Sequence, residues 1–148
     1  MATNVRRLDC TPADVFAVLE DGWLYPCWVV GATRMREVDA NWPSLGSELH
    51  HSVGVWPFVL DDTTRSADWA PPGRMKMIAR GWPLGEAEVT IRVRTEGRGC
   101  VVRIDEEPSS GPARLIPRFL ATPLLRGRNA ETLRRLAYLA EGRRGPTW

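Results

Sequence analysis

Residues 85–107, GEAEVTIRVRTEGRGCVVRIDEE, contain two stretches of alternating character joined by a short glycine turn. In the first stretch, apolar side chains alternate with polar or charged ones, which is the pattern of a strand with one buried face. Its apolar set is Ala87, Val89, Ile91 and Val93. The second stretch places Val102, Ile104 and Glu106 together on one face. The segment therefore predicts an antiparallel hairpin with one wet face.

Earlier segments continue the same alternation. Residues 48–55 and 74–80 each place apolar side chains at every second position, and residues 59–69 form a more polar strand between them. The expected inward set is Leu49, His51, Val53, Val55, Met75 and Met77. With further strands near residues 3–9 and 32–39, the chain predicts an antiparallel run of about six strands after the first one.

A short helix is predicted near the N-terminus. Thr11 is a typical N-cap residue, and Pro12 suits the first helical position because its missing N–H is not needed there. Gly22 is a natural residue to end this helix. Residues 23–30 are rich in aromatic side chains and contain a proline, so we expect a short second helix that leads into a strand.

A long amphipathic helix closes the chain. Thr122 and Pro123 repeat the start signal, and Gly142 is a natural end, which gives roughly 19 residues or about 28 Å of helix. The stripe expected to face the sheet consists of Leu125, Asn129, Leu133, Leu136, Ala137 and Ala140. We expect one domain over residues 1–148, with 143–148 as a frayed tail.

Composition excludes several classes of protein. The chain has 148 residues, with 20 Lys and Arg against 18 Asp and Glu, so its net charge of +2 does not argue for a nucleic-acid partner. Cys10, Cys27 and Cys100 are widely spaced, which argues against a disulfide framework or a zinc site. With no signal-like segment and no stretch that could span a bilayer, we expect a cytoplasmic protein. No metal or organic cofactor is expected.

This order of elements resembles the START-like or SRPBCC superfamily, in its polyketide cyclase/dehydratase-like, lipid-transport branch. The resemblance rests on the stretches TPADVFAVLEDGWLYPCWVVG, WPSLGSELHHSVGVWPFVLDDTT, ARGWPLGEAEVTIRV and RNAETLRRLAYLAE. It implies an α+β helix-grip fold, in which a curved antiparallel sheet wraps around a long C-terminal helix. Members hold apolar molecules in a cavity between sheet and helix, and some are enzymes whereas others only carry.

The resemblance implies a small hydrophobic ligand, and the inward positions predict the residues that would bind it. They are Trp28, Val53, Val55, Met75, Met77, Val89, Ile91, Val93, Val102, Ile104, Leu125, Asn129 and Leu133. Methionine suits such a cavity because its thioether is flexible and polarizable. The alternative is a fully packed core made of the same residues.

His51 and Glu106 are the candidate catalytic residues. His51 has the same parity as its apolar strand neighbours, and a buried imidazole is able to move protons near neutral pH. Glu106 has the parity of Val102 and Ile104, at the end of its strand. If both face one cavity, they form an acid/base pair for a cyclisation or dehydration. The alternatives are a histidine with a structural hydrogen bond and a carboxylate at the rim.

The arginines of the C-terminal third leave a third function open. They stand at positions 114, 118, 126, 128, 134, 135, 143 and 144. Such a basic face would suit an interaction protein that binds RNA or an anionic membrane, and the alternative is a solvated helix face. A homodimer is also left open by the sequence.

Overall fold

The computed structural model describes residues 1–55, 57–81 and 85–143, without the side chains of residues 55 and 58. Within them, seven strands form one antiparallel sheet in the order β1-β7-β6-β5-β4-β3-β2. The strands are β1 Ala2–Leu8, β2 Ala32–Val38, β3 Glu48–Val55, β4 Phe58–Ala70, β5 Arg74–Gly81, β6 Gly85–Glu96 and β7 Gly99–Ser110. The helices are α1 Pro12–Glu20, α2 Tyr25–Trp28 and α3 Arg118–Gly142, with 3-10 turns at Gly22–Leu24 and Pro112–Leu115.

The hairpin of β6 and β7 is confirmed. Ile91 pairs with Ile104, and Val93 with Val102, so the apolar faces of the two strands coincide. β7 is longer than predicted, because it continues through Pro108 to Ser110. The first residue of β1, Ala2, pairs with Glu106. Beyond Glu106, β7 therefore has no neighbour on that side and is an edge strand, which is where a sheet accepts proline.

The start of α1 is confirmed, but its end differs from the prediction. Thr11 and Asp14 form a reciprocal capping box, in which each side chain accepts the other residue's backbone N–H. The helix ends at Glu20, and Gly22 belongs to the 3-10 turn that follows. A Cβ on Gly22 would lie only 2.5 Å from Leu49 Cδ2. Glycine is therefore required here for close packing on β3.

The predicted start of α3 is wrong. The helix begins at Arg118, and Pro123 lies inside it. The first turn is closed by Pro117, whose carbonyl accepts from the N–H groups of Leu120 and Ala121 at 3.0 and 3.1 Å. Pro123 has no N–H to donate to the carbonyl of Phe119. Because Phe119 is exposed, this part of the helix is open to solvent.

The two halves of α3 differ in burial. No residue from 118 to 128 is buried. The second half buries Asn129, Thr132, Leu133, Leu136, Ala137 and Ala140. These spacings of three and four residues form one helical face against the sheet. The result is an α+β helix-grip fold, in which α1 and the second half of α3 cover one end of the curved sheet. Of the tail predicted to fray, residues 144–148 lie outside the described residues.

Candidate functional site

A cavity of about 440 Å³ lies between the sheet, α2 and the first part of α3. Its walls are formed by inward positions of β3, β5, β6 and β7, by residues 28–32 and by residues 121–132 of α3, and most of these side chains are aliphatic or small. The predicted ligand-binding residues that line it are Trp28, Val53, Met77, Val89, Ile104, Leu125 and Asn129. His51 and Glu106, the predicted catalytic residues, line the same cavity.

The remaining predicted ligand-binding residues lie elsewhere. Met75, Ile91, Val93, Val102 and Leu133 belong to the packed core. One inward step along a strand is roughly 7 Å, so Met77 reaches the cavity whereas Met75, two residues earlier, is fully buried in the core. The side chain of Val55 lies outside the described part of the chain.

His51 belongs to a buried chain of hydrogen bonds. Its Nε2 lies 2.8 Å from Thr64 Oγ1, and the Tyr25 hydroxyl lies 2.9 Å from the same oxygen. The Tyr25 and His51 rings also pack together, with centroids 5.1 Å apart. Burial lowers the pKa of His51 to about 4, although the Asp62 carboxylate opposes this shift. The imidazole is therefore neutral at pH 7.

The direction of this chain of hydrogen bonds depends on the tautomer of His51. Burial raises the pKa of Tyr25 to about 12, so its phenol keeps its proton. If Tyr25 donates to Thr64 and Thr64 donates to His51 Nε2, the imidazole proton must sit on Nδ1. The opposite direction would leave the phenolic proton unpaired as well, which costs more. Nδ1 is buried and has no hydrogen-bond partner, so this arrangement leaves one buried donor free at the cavity wall.

Glu106 is a buried carboxylate in the cavity wall. Only 3% of it is exposed. Arg128 Nη2 donates to both of its oxygens, and Asn129 Nδ2 donates to Oε2 at 2.9 Å. The structure thus brings Asn129 to the cavity, but with its amide directed to Glu106. The Arg128 charge balances that of the carboxylate. Glu106 is therefore not the solvent-exposed rim carboxylate that was the alternative in the sequence analysis.

Two site residues were missed by the sequence analysis. Arg128 was placed mostly off the inward stripe, yet it lines the cavity one turn after Leu125 and one turn before Thr132. Thr64 lies in β4 between Asp62 and Ser66, and all three are buried. The available signal was the polar residues at every second position of β4. A search for alternating apolar residues does not detect such a strand face.

The other face of β3 carries no comparable site. His50 Nε2 lies 3.0 Å from Asp39 Oδ1, and this contact lowers the pKa of Asp39. No group of three or more metal-ligating side chains occurs among residues 1–55, 57–81 and 85–143. Among the described helices, none is long and apolar enough to cross a lipid bilayer.

The basic residues of α3 differ in their partners. Arg134 and Arg135 both bond to Glu131, and the bond from Arg134 is the main cause that lowers the pKa of Glu131 to about 2. Arg128 is held by Glu106. The second half of α3 is therefore largely paired, which leaves the positive charge concentrated near the start of the helix.

Solved structures share this fold over nearly the whole chain. A Rhodobacter sphaeroides protein has a TM-score of 0.72 at 20% identity, covering 95% of this chain and 91% of its own. The protein Ara h 8.0201 has a TM-score of 0.70 at 11% identity, covering 94% of this chain and 96% of its own. The di-domain ARO/CYC StfQ of the steffimycin biosynthetic pathway has a TM-score of 0.69 at 13% identity, covering 97% of this chain and 51% of its own. At these identities the likeness shows the fold alone.

The family assignment comes from a sequence model. No curated protein matches the chain. The model described as "Polyketide cyclase / dehydrase and lipid transport" matches residues 2–141. That match includes every element from β1 to the last turn of α3, and with it all the cavity-lining side chains described above. The chain therefore belongs to the polyketide cyclase/dehydrase and lipid-transport family, as its resemblance to the SRPBCC superfamily implied.

Proposed function

We propose that the protein binds a small hydrophobic molecule, such as a lipid or polyketide, in the cavity between sheet and α3 and acts as a carrier or sensor. The carrying observation is the cavity itself: about 440 Å³ with a mainly aliphatic lining. This volume lies within the range of roughly 300–1,000 Å³ that is usual for small-molecule sites. Family membership supports the same class of ligand.

The polar groups of the cavity indicate what the ligand carries. Arg128 Nε is a buried donor without a partner, and His51 Nδ1 is a buried nitrogen without one, a donor in the arrangement described above. A buried unpaired donor costs roughly 1–3 kcal/mol, and a ligand oxygen that reached either nitrogen would recover that cost. The ligand that fits best is therefore an apolar body with an acceptor oxygen, for example a carbonyl, placed near His51.

An enzyme of the cyclase/dehydratase kind is the second candidate. It is favoured by His51 and Glu106 lining one cavity. Two features weigh against it. A histidine with a pKa of about 4 is a weak base at neutral pH, and both oxygens of Glu106 are already held by Arg128 and Asn129. We therefore propose binding without turnover.

Native mass spectrometry of the protein purified from a cytoplasmic host tests the proposal, with solvent extraction of anything bound. A co-purifying apolar molecule is expected. In parallel, a solvatochromic apolar dye should bind with saturation and be displaced by long-chain ketones or fatty acids. No bound molecule and no uptake across a panel of lipids and aromatic polyketides would sink the carrier proposal.

A variant separates carrier from enzyme. Under the binding proposal, His51→Ala lowers affinity for carbonyl ligands several-fold, and neither protein converts a linear poly-β-ketone. Under the enzyme alternative, the same substitution leaves affinity intact and abolishes turnover. A cytoplasmic location and a homodimer remain predictions, which fractionation of the native host and sedimentation velocity would check.

A further inference from the structure

Among the described residues, a run of exposed apolar side chains lies where α3 begins. Five large side chains between residues 115 and 124 are exposed, and we call them the apolar rim. They are Leu115, Ile116, Phe119, Leu120 and Leu124, with exposed fractions of 85, 39, 76, 53 and 76%. Single exposed apolar residues are common on proteins, but a contiguous group of this kind indicates an interaction surface.

The start of α3 has two apolar faces. Ala121, Leu125 and Arg128 are spaced by four and three residues and line the cavity. Leu120 and Leu124, four residues apart, share a face beside the cavity-lining one, and Phe119 lies farther round the helix. A helix whose only purpose was to close the cavity would need a polar outer face here.

The rim borders the opening of the cavity. Ile116 and Leu124 line the cavity and are exposed to solvent at the same time. An apolar path therefore runs from the cavity wall to the outer surface through these two side chains. Whatever covers the rim would also cover the place where a ligand enters.

The charged side chains of the rim segment itself have one sign. Residues 111–130 contain Arg114, Arg118, Arg126 and Arg128 and no Asp or Glu. Arg128 is held by Glu106 inside the cavity wall. Arg118 lies 3.9 Å from Glu107, and both side chains are well exposed, so this pair is weak. The rim is thus flanked by three exposed cations.

We propose that the apolar rim and its arginines dock the protein on an anionic lipid bilayer. Apolar side chains with basic flanks are the combination that lies at a membrane interface, where the former enter the acyl boundary and the latter meet anionic headgroups. A second copy on the same face would bring like charges together in a symmetric contact. RNA would use the cations but leave the aliphatic side chains without a partner.

Docking would place the cavity opening against the bilayer. The reason for docking, exchange of a hydrophobic ligand with the membrane, rests on the proposed function. The docking itself does not, because vesicle binding needs no ligand. Failure of docking and failure of ligand binding are therefore measured separately.

Vesicle flotation with the full chain tests the proposal. Vesicles of phosphatidylcholine with a phosphatidylglycerol fraction should bind the protein, and vesicles of phosphatidylcholine alone should bind it far less. Phe119→Ser/Leu120→Ser should lower the partition coefficient more than tenfold. Arg114→Gln/Arg118→Gln should lower it about fivefold per arginine, and high salt should do the same.

The controls are exposed residues far from the rim. Leu45 is 75% exposed in the loop before β3, and Arg98 is exposed in the turn between β6 and β7. Leu45→Ser and Arg98→Gln should leave vesicle binding unchanged. Uptake of the apolar dye by the rim variants shows that their cavity is intact. The proposal is overturned by equal binding to both vesicle compositions, by no binding, by RNA binding that the arginine variants abolish, or by self-association that the rim variants abolish.

Discussion

His51 is held to Thr64 by a hydrogen bond of 2.8 Å between Nε2 and Oγ1, beneath the cavity floor. This bond fixes the ring through one nitrogen and leaves the other without a partner. The ring is only 2% exposed, and burial lowers its pKa to about 4. The burial of this ring therefore links the stability of the fold to pH.

Stability should fall as the pH falls below 6.5. In the unfolded chain His51 takes up a proton near pH 6.5, whereas in the folded protein it does so only near pH 4. Below 6.5 the unfolded state binds more protons, so acid favours unfolding. Between pH 7.5 and pH 5 the loss from this residue is about 2 kcal/mol. Urea unfolding of wild type and His51→Gln at both pH values measures this loss. The change in the free energy of unfolding between the two pH values should be larger in wild type by that amount. Equal pH dependence in the two proteins would contradict the assigned burial.

Filling the cavity should block ligand binding at little cost in stability. Ala79 lines the cavity, whereas Ala137 is 2% exposed in the packed core. Ala79→Leu puts its added carbons into empty space, so dye binding is lost and the free energy of unfolding changes by less than about 1 kcal/mol. Ala137→Leu overpacks the core and lowers stability by about 1–3 kcal/mol. Similar losses of stability in both variants would show that no open cavity exists at Ala79.

The carboxylate of Glu106 should matter to stability far more than its neighbour. Glu106→Gln removes the charge that Arg128 faces in the cavity wall, at an expected cost of about 2 kcal/mol. Glu107→Gln, one position along β7 with a half-exposed side chain, should change the free energy of unfolding by less than about 0.5 kcal/mol. Chemical unfolding of both variants gives the comparison. If Glu106→Gln is as mild as Glu107→Gln, the ion pair contributes little to the fold.

The cysteines should differ sharply in reactivity. Cys27 is exposed, whereas Cys10 and Cys100 are buried. Burial raises the pKa of Cys10 to about 12, and burial also raises the pKa of Cys100. Neither thiol therefore forms the reactive thiolate at neutral pH. A maleimide should label Cys27 in the native protein and all three thiols in urea. Fast labelling of Cys27→Ser under native conditions would contradict this burial.

Local signals in the sequence were enough for most of the fold. The alternation from Ala87 to Val93 predicted β6, and Thr11 with Pro12 predicted the start of α1, because each depends on neighbours in the chain. The Thr122–Pro123 signal failed for α3. An exposed helix start tolerates an internal proline in its second turn, and exposure is decided by packing that the local sequence does not encode.

The candidate site was only partly predictable. Every inward position of β5 and β6 has the same apolar character, so the pattern could not tell that Met77 and Val89 face open space while Met75 and Ile91 are packed. Packing against helices from distant parts of the chain decides this. Arg128 and Thr64 were missed because inward faces are identified by regularly spaced apolar residues, and these two inward residues are polar.

The uneven burial of α3 also bears on how the protein opens. Residues 118–125 bury no side chain, and Pro123 removes one of their helical hydrogen bonds, whereas the Asn4 bond to the Arg126 carbonyl, the Arg128–Glu106 pair and residues 129–140 anchor the helix to the sheet. The first two turns can therefore unwind at a much smaller free-energy cost than global unfolding. Backbone amides there should exchange with deuterium well before those that follow Asn129. Such a fraying segment would open and close the cavity, while the anchored half of the same helix stays fixed on the sheet.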